Sequence, residues 1–106
     1  MRTTLVIPAL DEAPVIATLV ARVPRDLVGE VIVVDNGSTD GTGAVAAWAG
    51  ARVVSEPRRG YGAACAAGVR ALGADADIAV FLDGDGMQTV LGRLRRIPHG
   101  ETPLAR

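Results

Sequence analysis

Residues 31–42 read Val-Ile-Val-Val-Asp-Asn-Gly-Ser-Thr-Asp-Gly-Thr. Four consecutive β-branched residues predict a strand that is buried on both faces. The following segment, 35–41, is dense in residues that favour turns. Thr39 or Asp40 is a suitable N-cap for a helix from Thr42 to Ala49. A buried strand that leads through a turn into a helix is the repeating unit of an α/β fold.

The same unit recurs along the rest of the chain. Further strands are predicted at residues 3–7, where Pro8 stops the run, and at 52–55 and 78–82. Further helices are predicted from Pro14 until Pro24 closes the helix, at 60–72, and from about 87 until Pro98. Four strands that alternate with helices predict an α/β domain with a parallel sheet, right-handed crossovers and helices on its faces.

The composition excludes several classes of protein. The chain has 106 residues, 49% of them hydrophobic and 22% charged, which is typical of one globular domain. No apolar run is long enough to span a bilayer, and no secretory leader is evident, so a cytoplasmic protein is expected. The single cysteine excludes an internal disulfide. The net charge of −1 is not that of a protein with a basic surface for binding nucleic acid.

Charge is distributed unevenly along the chain. Residues 1–86 hold seven arginines and eleven acids, whereas residues 87–106 hold four arginines and one acid. We therefore divide the chain into a ligand-binding part, 1–88, and an atypical tail, 89–106, which is either frameshifted or disordered. A short parallel sheet would leave one edge strand unpaired, which predicts marginal stability or association through that edge.

Acidic residues cluster after the predicted strands. Ligands of open parallel sheets bind outside the carboxyl ends of the strands. Seven of the twelve acids fall there: Asp11, Glu12, Asp35, Asp40, Glu56, Asp83 and Asp85. The alternative for any one of them is an exposed loop position or a helix cap.

The most specific pattern is Asp83-Gly84-Asp85-Gly86, which directly follows the apolar strand 78–82. Residues i and i+2 of an extended chain point the same way, so the two carboxylates converge. Hard oxygen ligands suit Mg²⁺ or Mn²⁺, and such an ion stabilises the charge of a leaving diphosphate. The alternative is an exposed Asp-Gly turn.

Four motifs in order carry a family resemblance: residues 6–12 (VIPALDE), 31–42, 59–64 (RGYGAA) and 83–86 (DGDG). The chain resembles the N-terminal half of family 2 glycosyltransferases, whose nucleotide-binding half is a Rossmann-like GT-A fold. The Pro-Ala-Leu, Asp-Asn-Gly-Ser and Gly-Tyr-Gly forms are most similar to enzymes that load a sugar onto polyprenyl or dolichyl phosphate.

The resemblance implies roles for individual residues. The nucleotide-sugar set comprises Pro8, Ala9, Leu10 and Glu12 around the base and ribose, Asp35 at the base, and Asp83 at the ribose or the metal. Asp83 and Asp85 form the metal set. Asn36 stands where many members carry a second Asp, and Met87 stands where many carry Gln.

The resemblance also implies a reaction and its partners. A sugar would pass from a UDP- or GDP-linked donor to an acceptor such as a polyprenyl phosphate, with Mg²⁺ or Mn²⁺, in the cytoplasm or peripherally at the inner face of the membrane. The acceptor-binding region and the catalytic base are missing, so a truncated enzyme is expected. Two alternatives stay open: a catalytically inactive nucleotide-binding module, and a haloacid-dehalogenase-like phosphatase with Asp83 as nucleophile.

Overall fold

A computed structural model describes residues 2–82 and the strand 89–93. The strands form one five-stranded sheet in the order β3-β2-β1-β4-β5. The elements in chain order are β1 (Thr3–Ala9), α1 (Ala13–Ala21), β2 (Glu30–Asp35), α2 (Thr42–Trp48), β3 (Arg52–Ser55), α3 (Tyr61–Ala71), β4 (Ile78–Leu82) and β5 (Thr89–Arg93).

The four predicted strands are parallel to one another, as expected. β1 pairs with β2 on one side and with β4 on the other, and β2 pairs with β3. The chain thus runs outward from β1 through β2 to β3 and then returns to β4 on the opposite side of β1. This reversal makes the carboxyl ends of β1 and β4 the switch point of the sheet, where open α/β sheets bind ligands.

Each central strand is buried on both faces, because helices cover both sides of the sheet. Ile7 and Val33 pack with Ile16 of α1 and Ala46 of α2 on one face. On the other face, a cluster formed with α3 contains Val6, Ile32, Val34, Ala64, Cys65 and Ala67. The helices change face where the strand order reverses, so all three crossovers have one hand, and the general rule makes it right-handed.

Helix α3 approaches the sheet closely because it carries small residues. A Cβ added to Gly68 would lie 2.4 Å from a γ-carbon of Val6 on β1. Such a separation is impossible for real atoms, so only glycine permits this distance between helix and strand. The small-residue composition of this helix therefore has a structural role in setting the spacing of the layers.

Pro8 does not end the first strand, contrary to the expectation. Strand β1 continues to Ala9, and Pro8 lies opposite Val34 in the register with β2. The Ala9 carbonyl accepts a hydrogen bond from the Asn36 amide, which follows β2. Consecutive residues of a strand direct their backbone groups to opposite sides, so those of Pro8 face β4. Pairing between β1 and β4 ends at Val6, so the missing N–H of Pro8 falls beyond this paired segment.

The helix predicted from about residue 87 is wrong over residues 89–93. Those residues form β5, which pairs antiparallel with β4 from Ile78↔Arg93 to Leu82↔Thr89. Thr89 and Val90 are β-branched, and the edge of β4 offers unpaired backbone groups, so strand pairing prevails over the weak helical pattern. The predicted tail, 89–106, therefore begins with a strand, and its remainder lies outside the described residues.

Candidate active site

The loops that follow β1 and β2 are joined side by side at the carboxyl edge of the sheet. Three consecutive backbone amides at the start of α1 donate to side chains of the β2–α2 loop. The Asp11 amide donates to Ser38 Oγ (2.9 Å), the Glu12 amide to Thr42 Oγ1 (2.9 Å) and the Ala13 amide to Asp40 Oδ2 (3.0 Å). Glu12 is the N-cap residue and Ala13 the first residue of α1, and their amides have no intrahelical acceptor, so Thr42 and Asp40 cap α1 from outside the helix.

Asp11 returns the contact and is committed to the loop. Its Oδ1 accepts the Thr39 amide at 2.8 Å, and its φ of +51° is in the left-handed region, which side chains seldom adopt. The structure therefore supports the capping alternative for Asp40 and the exposed-loop alternative for Asp11 over a ligand role.

Asp40 is held in its ionised form by its partners. The Thr42 hydroxyl, followed by the Ala13 and Thr42 amides, lowers the pKa of the Asp40 carboxyl below its ordinary value, against a smaller opposing effect of burial. Thr42 itself is fully buried and joins Asp40 to the Glu12 amide. The Asp40–Thr42 pair thus couples the two loops.

Asp35 ends β2 with a half-buried carboxylate at this edge. Its Oδ1 accepts the Ser38 amide at 2.9 Å, which shapes the turn that follows. A Cβ added to Gly43, in the first turn of α2, would lie 2.8 Å from Asp35 Oδ2. The glycine therefore leaves the space that this carboxylate occupies.

Asn36 is a structural residue that sequence reasoning treated as a simple variation of Asp. It is 5% exposed; its Nδ2 donates to the carbonyls of Glu56 (2.8 Å) and Arg58 (2.7 Å), and its Oδ1 accepts the Gly60 amide (3.0 Å). A carboxylate has no donor for the two carbonyls. The amide side chain thus fixes the β3–α3 loop beside the end of β2.

Glu56, one of the seven acids at the strand ends, is buried in an ion-paired cluster. It is 5% exposed; its Oε2 accepts the Arg58 amide at 2.9 Å and its Oε1 accepts from Arg70 at 3.1 Å. The Arg58 amide, and then the charges of Arg58 and Arg70, lower the pKa of the Glu56 carboxyl against the opposing effect of burial. These partners assign Glu56 a structural role.

The remaining nucleotide-sugar candidates lie along one path from β1 into α1. Pro8 and Glu12 are half-buried, and Leu10 is 38% exposed. Ala9 is 2% exposed and its methyl group belongs to the core, so its accessible part at this edge is small. The structure thus brings Pro8, Leu10, Glu12 and Asp35 to one edge of the sheet.

The two predicted metal ligands, Asp83 and Asp85, lie outside the described residues. Asp83 follows directly after Leu82, the last residue of β4, at the switch point. Within residues 2–82 and 89–93 no group of three potential metal-ligating side chains is found.

None of the helices in this described part of the chain is long and apolar enough to cross a membrane.

The order of these elements and motifs agrees with a known family of enzymes. The model of glycosyl transferase family 2 matches residues 4–88. The chain belongs to glycosyl transferase family 2. The match covers all of the parallel sheet except Thr3, together with both Asp residues of the Asp83-Gly84-Asp85-Gly86 motif.

Curated relatives of this family 2 chain come from mycobacteria. An uncharacterized glycosyltransferase of Mycobacterium tuberculosis is 46% identical over 83 residues, which is 78% of this chain and 36% of the relative. Glucosyl-3-phosphoglycerate synthase of Mycolicibacterium paratuberculosis is 42% identical over 94 residues, with 77% and 28% covered. The chain thus spans about a third of the length of the curated relatives it matches.

Solved structures of glucosyl-3-phosphoglycerate synthase from Mycobacterium tuberculosis share the fold. One, in complex with Mn²⁺, uridine diphosphate and glucosyl-3-phosphoglycerate, gives a TM-score of 0.68 at 39% identity, over 77% of this chain and 33% of that one. Another, with Mg²⁺ and uridine diphosphate, gives 0.69 at 36% identity, over 77% and 32%. These findings confirm the predicted family and the Rossmann-like GT-A nucleotide half.

Proposed function

We propose that this chain binds UDP-glucose, with Mn²⁺ or Mg²⁺, as the donor half of a glucosyltransferase. The observation that supports it is the close fit of the described sheet to solved relatives that hold uridine diphosphate and either ion. The joined β1 and β2 loops lie at the carboxyl edge of that sheet, and the β1 loop flanks the switch point, where this class of fold receives nucleotides.

The donor nucleotide would contact the path from Pro8 to Glu12 and the end of β2. Leu10 is the exposed apolar side chain there and offers a surface for the base, together with Pro8 and the backbone of Ala9. Asp35 keeps acceptor capacity beyond the bond from the Ser38 amide, so it can accept an N–H of the base. Glu12 would accept from a ribose hydroxyl.

The metal would be held by Asp83 and Asp85, which we propose from the chemistry of the donors. Two carboxylates suit Mn²⁺ and Mg²⁺, and three of the other acids that follow strands, Asp11, Asp40 and Glu56, already serve structural bonds in the described part of the chain. When bound, the ion neutralises charge on the diphosphate leaving group. Asp83 would also reach the ribose.

The acceptor we propose is a small phosphorylated hydroxy acid. One solved relative is a complex with glucosyl-3-phosphoglycerate, which motivates this class. The polyprenyl-phosphate acceptor expected from the sequence has no support among the relatives described above. Incubating the chain with labelled UDP-glucose, Mn²⁺ and either acceptor separates the two: any transfer is expected to label phosphoglycerate, and labelled lipid alone would overturn the choice.

The donor proposal is tested by calorimetric titration of UDP and GDP into the chain, with Mn²⁺ and again with EDTA. We expect UDP to bind only with the ion, and Asp85→Ala to abolish binding. Asp26→Ala, which removes an exposed acid from the α1–β2 loop, is the matched control and should bind as the wild type does. The proposal would be contradicted if the chain bound GDP but not UDP. It would also be contradicted if a chain with native circular dichroism bound neither nucleotide.

The inactive-module alternative makes a different prediction for the same chain. It requires metal-dependent UDP binding but neither glucose transfer nor UDP-glucose hydrolysis. The phosphatase alternative requires hydrolysis of p-nitrophenyl phosphate that Asp83→Asn removes, and the family match over residues 4–88 favours the glycosyltransferase over it.

A further inference from the structure

The start of α1 is held by another loop. Helix α1 has Glu12 as its N-cap residue, yet Glu12 makes no side-chain capping bond. The amides of Asp11, Glu12 and Ala13, the first residue of α1, instead donate to Ser38, Thr42 and Asp40, which lie 27 to 30 residues later in the chain. We call these three residues, with Asp11 and Thr39, the loop clamp.

Thr42 is the central residue of the loop clamp. It is fully buried, and its hydroxyl accepts the Glu12 amide at 2.9 Å while it donates to the Asp40 carboxylate. The other oxygen of that carboxylate accepts the Ala13 amide at 3.0 Å. Only a group that both donates and accepts completes this bridge, so a hydroxyl is required and an isosteric valine cannot replace it.

The bridge fixes the two peptide units on either side of the Glu12 Cα. The amides of Glu12 and Ala13 are held, and the preceding residue, Asp11, is tied to the same loop through the Thr39 amide. The φ of +51° at Asp11 is an uncommon conformation that these bonds maintain. The direction in which the Glu12 side chain leaves the backbone therefore depends on Thr42 and Asp40.

We infer that Thr42, acting with Asp40, is a positioning residue that sets nucleotide affinity by fixing Glu12 at the edge of the donor site. The inference rests on the proposed function, because it takes Glu12 as a contact of the nucleotide. Neither Thr42 nor Asp40 touches the nucleotide itself; the effect passes through the backbone of the β1–α1 loop.

The first experiment is a titration of UDP and Mn²⁺ into the wild type, Thr42→Val and Thr42→Ser, below the unfolding transition of each. Loss of the bridge should weaken binding about tenfold, which is the scale of one lost hydrogen bond, and the serine hydroxyl should restore most of it. Thr18→Val, at an exposed threonine of α1, is the matched control and should bind like the wild type.

A double-mutant cycle separates positioning from general loosening of the fold. If Thr42 acts through Glu12, Thr42→Val should weaken binding about tenfold in the wild type but less than twofold in a Glu12→Ala background. Hydrogen exchange supplies a second measurement without ligand: the Glu12 amide should exchange faster in Thr42→Val, while amides of β2 keep their protection.

The outcomes distinguish the two proposals. Equal UDP affinity in Thr42→Val and wild type, or the same loss with and without Glu12, overturns the positioning role and leaves the donor site standing. Failure of the folded wild type to bind UDP contradicts the proposed function, and the positioning role with it. Weakened binding, serine rescue and a non-additive cycle together support both.

Discussion

At the scale of single residues, Asn36 shows how one amide determines a loop. It donates to two carbonyls of the β3–α3 loop from a position that is 5% exposed. Asn36→Asp replaces both donors with acceptors, so the buried Glu56 carbonyl and the part-buried Arg58 carbonyl lose partners and face a charge. We expect the free energy of unfolding to fall by about 1–3 kcal/mol, measured by urea denaturation.

The control for Asn36→Asp adds the same charge at an exposed position. Thr18→Asp does this in the middle of α1 and should change the free energy of unfolding by under about 0.5 kcal/mol. Equal stability of Asn36→Asp and the wild type would show that the two bonds to Glu56 and Arg58 are dispensable.

Because of Glu56, we expect the free energy of unfolding to depend on pH. Its pKa is lowered in the folded chain from an ordinary value of 4.5, so folding favours its ionised form. The stabilisation is therefore fully present above that ordinary value and is lost as the pH falls through it towards the lower folded value. Urea denaturation between pH 7 and pH 3 should show this loss for the wild type.

Glu56→Gln identifies the group responsible, since Asp40 has a lowered pKa as well. The variant should be less stable than the wild type at pH 7, and the gap should narrow as the pH falls. Thr18→Val, which changes no ionisable group, is the control and should keep the wild-type slope. A gap that stays constant over the whole pH range would contradict the assignment to Glu56.

At the scale of elements, alanine substitutions at two glycines of α3 distinguish the effect of helix propensity from the effect of packing against the sheet. A Cβ on Gly68 would lie 2.4 Å from a γ-carbon of Val6, whereas a Cβ on Gly62 meets nothing within 4 Å. Gly68→Ala should therefore destabilise the chain by about 1–3 kcal/mol, because α3 must move off the sheet. Thermal unfolding measures the change.

Gly62→Ala is the matched control in the same helix. It should leave the fold unstrained and raise the free energy of unfolding by up to about 1 kcal/mol, as alanine favours helix. If both alanine variants were stabilising, the helix would not be limited by its contact with β1. A further Val6→Ala substitution should recover part of the loss in Gly68→Ala.

At the scale of the whole molecule, β5 decides whether β4 is an edge. β5 pairs with β4 along all five residues of that strand. A chain ending at residue 88 exposes the β4 edge, so we expect a lower urea midpoint and concentration-dependent association in sedimentation velocity. A chain ending at residue 93 keeps the strand and should behave as the full chain does. A monomeric chain of 88 residues with an unchanged midpoint would overturn this.

Much of the architecture follows from local sequence patterns. The apolar β-branched runs at 31–34, 52–55 and 78–82 became strands, because a strand needs only an apolar segment bounded by turn residues. Their alternation with helices predicted the parallel sheet, and the order of the four motifs predicted the family. Such patterns reflect neighbours close in the chain, so they need no tertiary information.

The roles of the polar residues depended on the tertiary structure. The sequence predicts only that Asp11 and Asp40 lie at the ligand-binding edge, and the structure shows them bonded between segments 27 or 28 residues apart. Asn36 holds the β3–α3 loop through its side-chain amide. The helix predicted near residue 87 became β5 where it meets the free edge of β4. A side chain's partner is set by which loops the sheet brings together, and that arrangement exists only once the strands have paired.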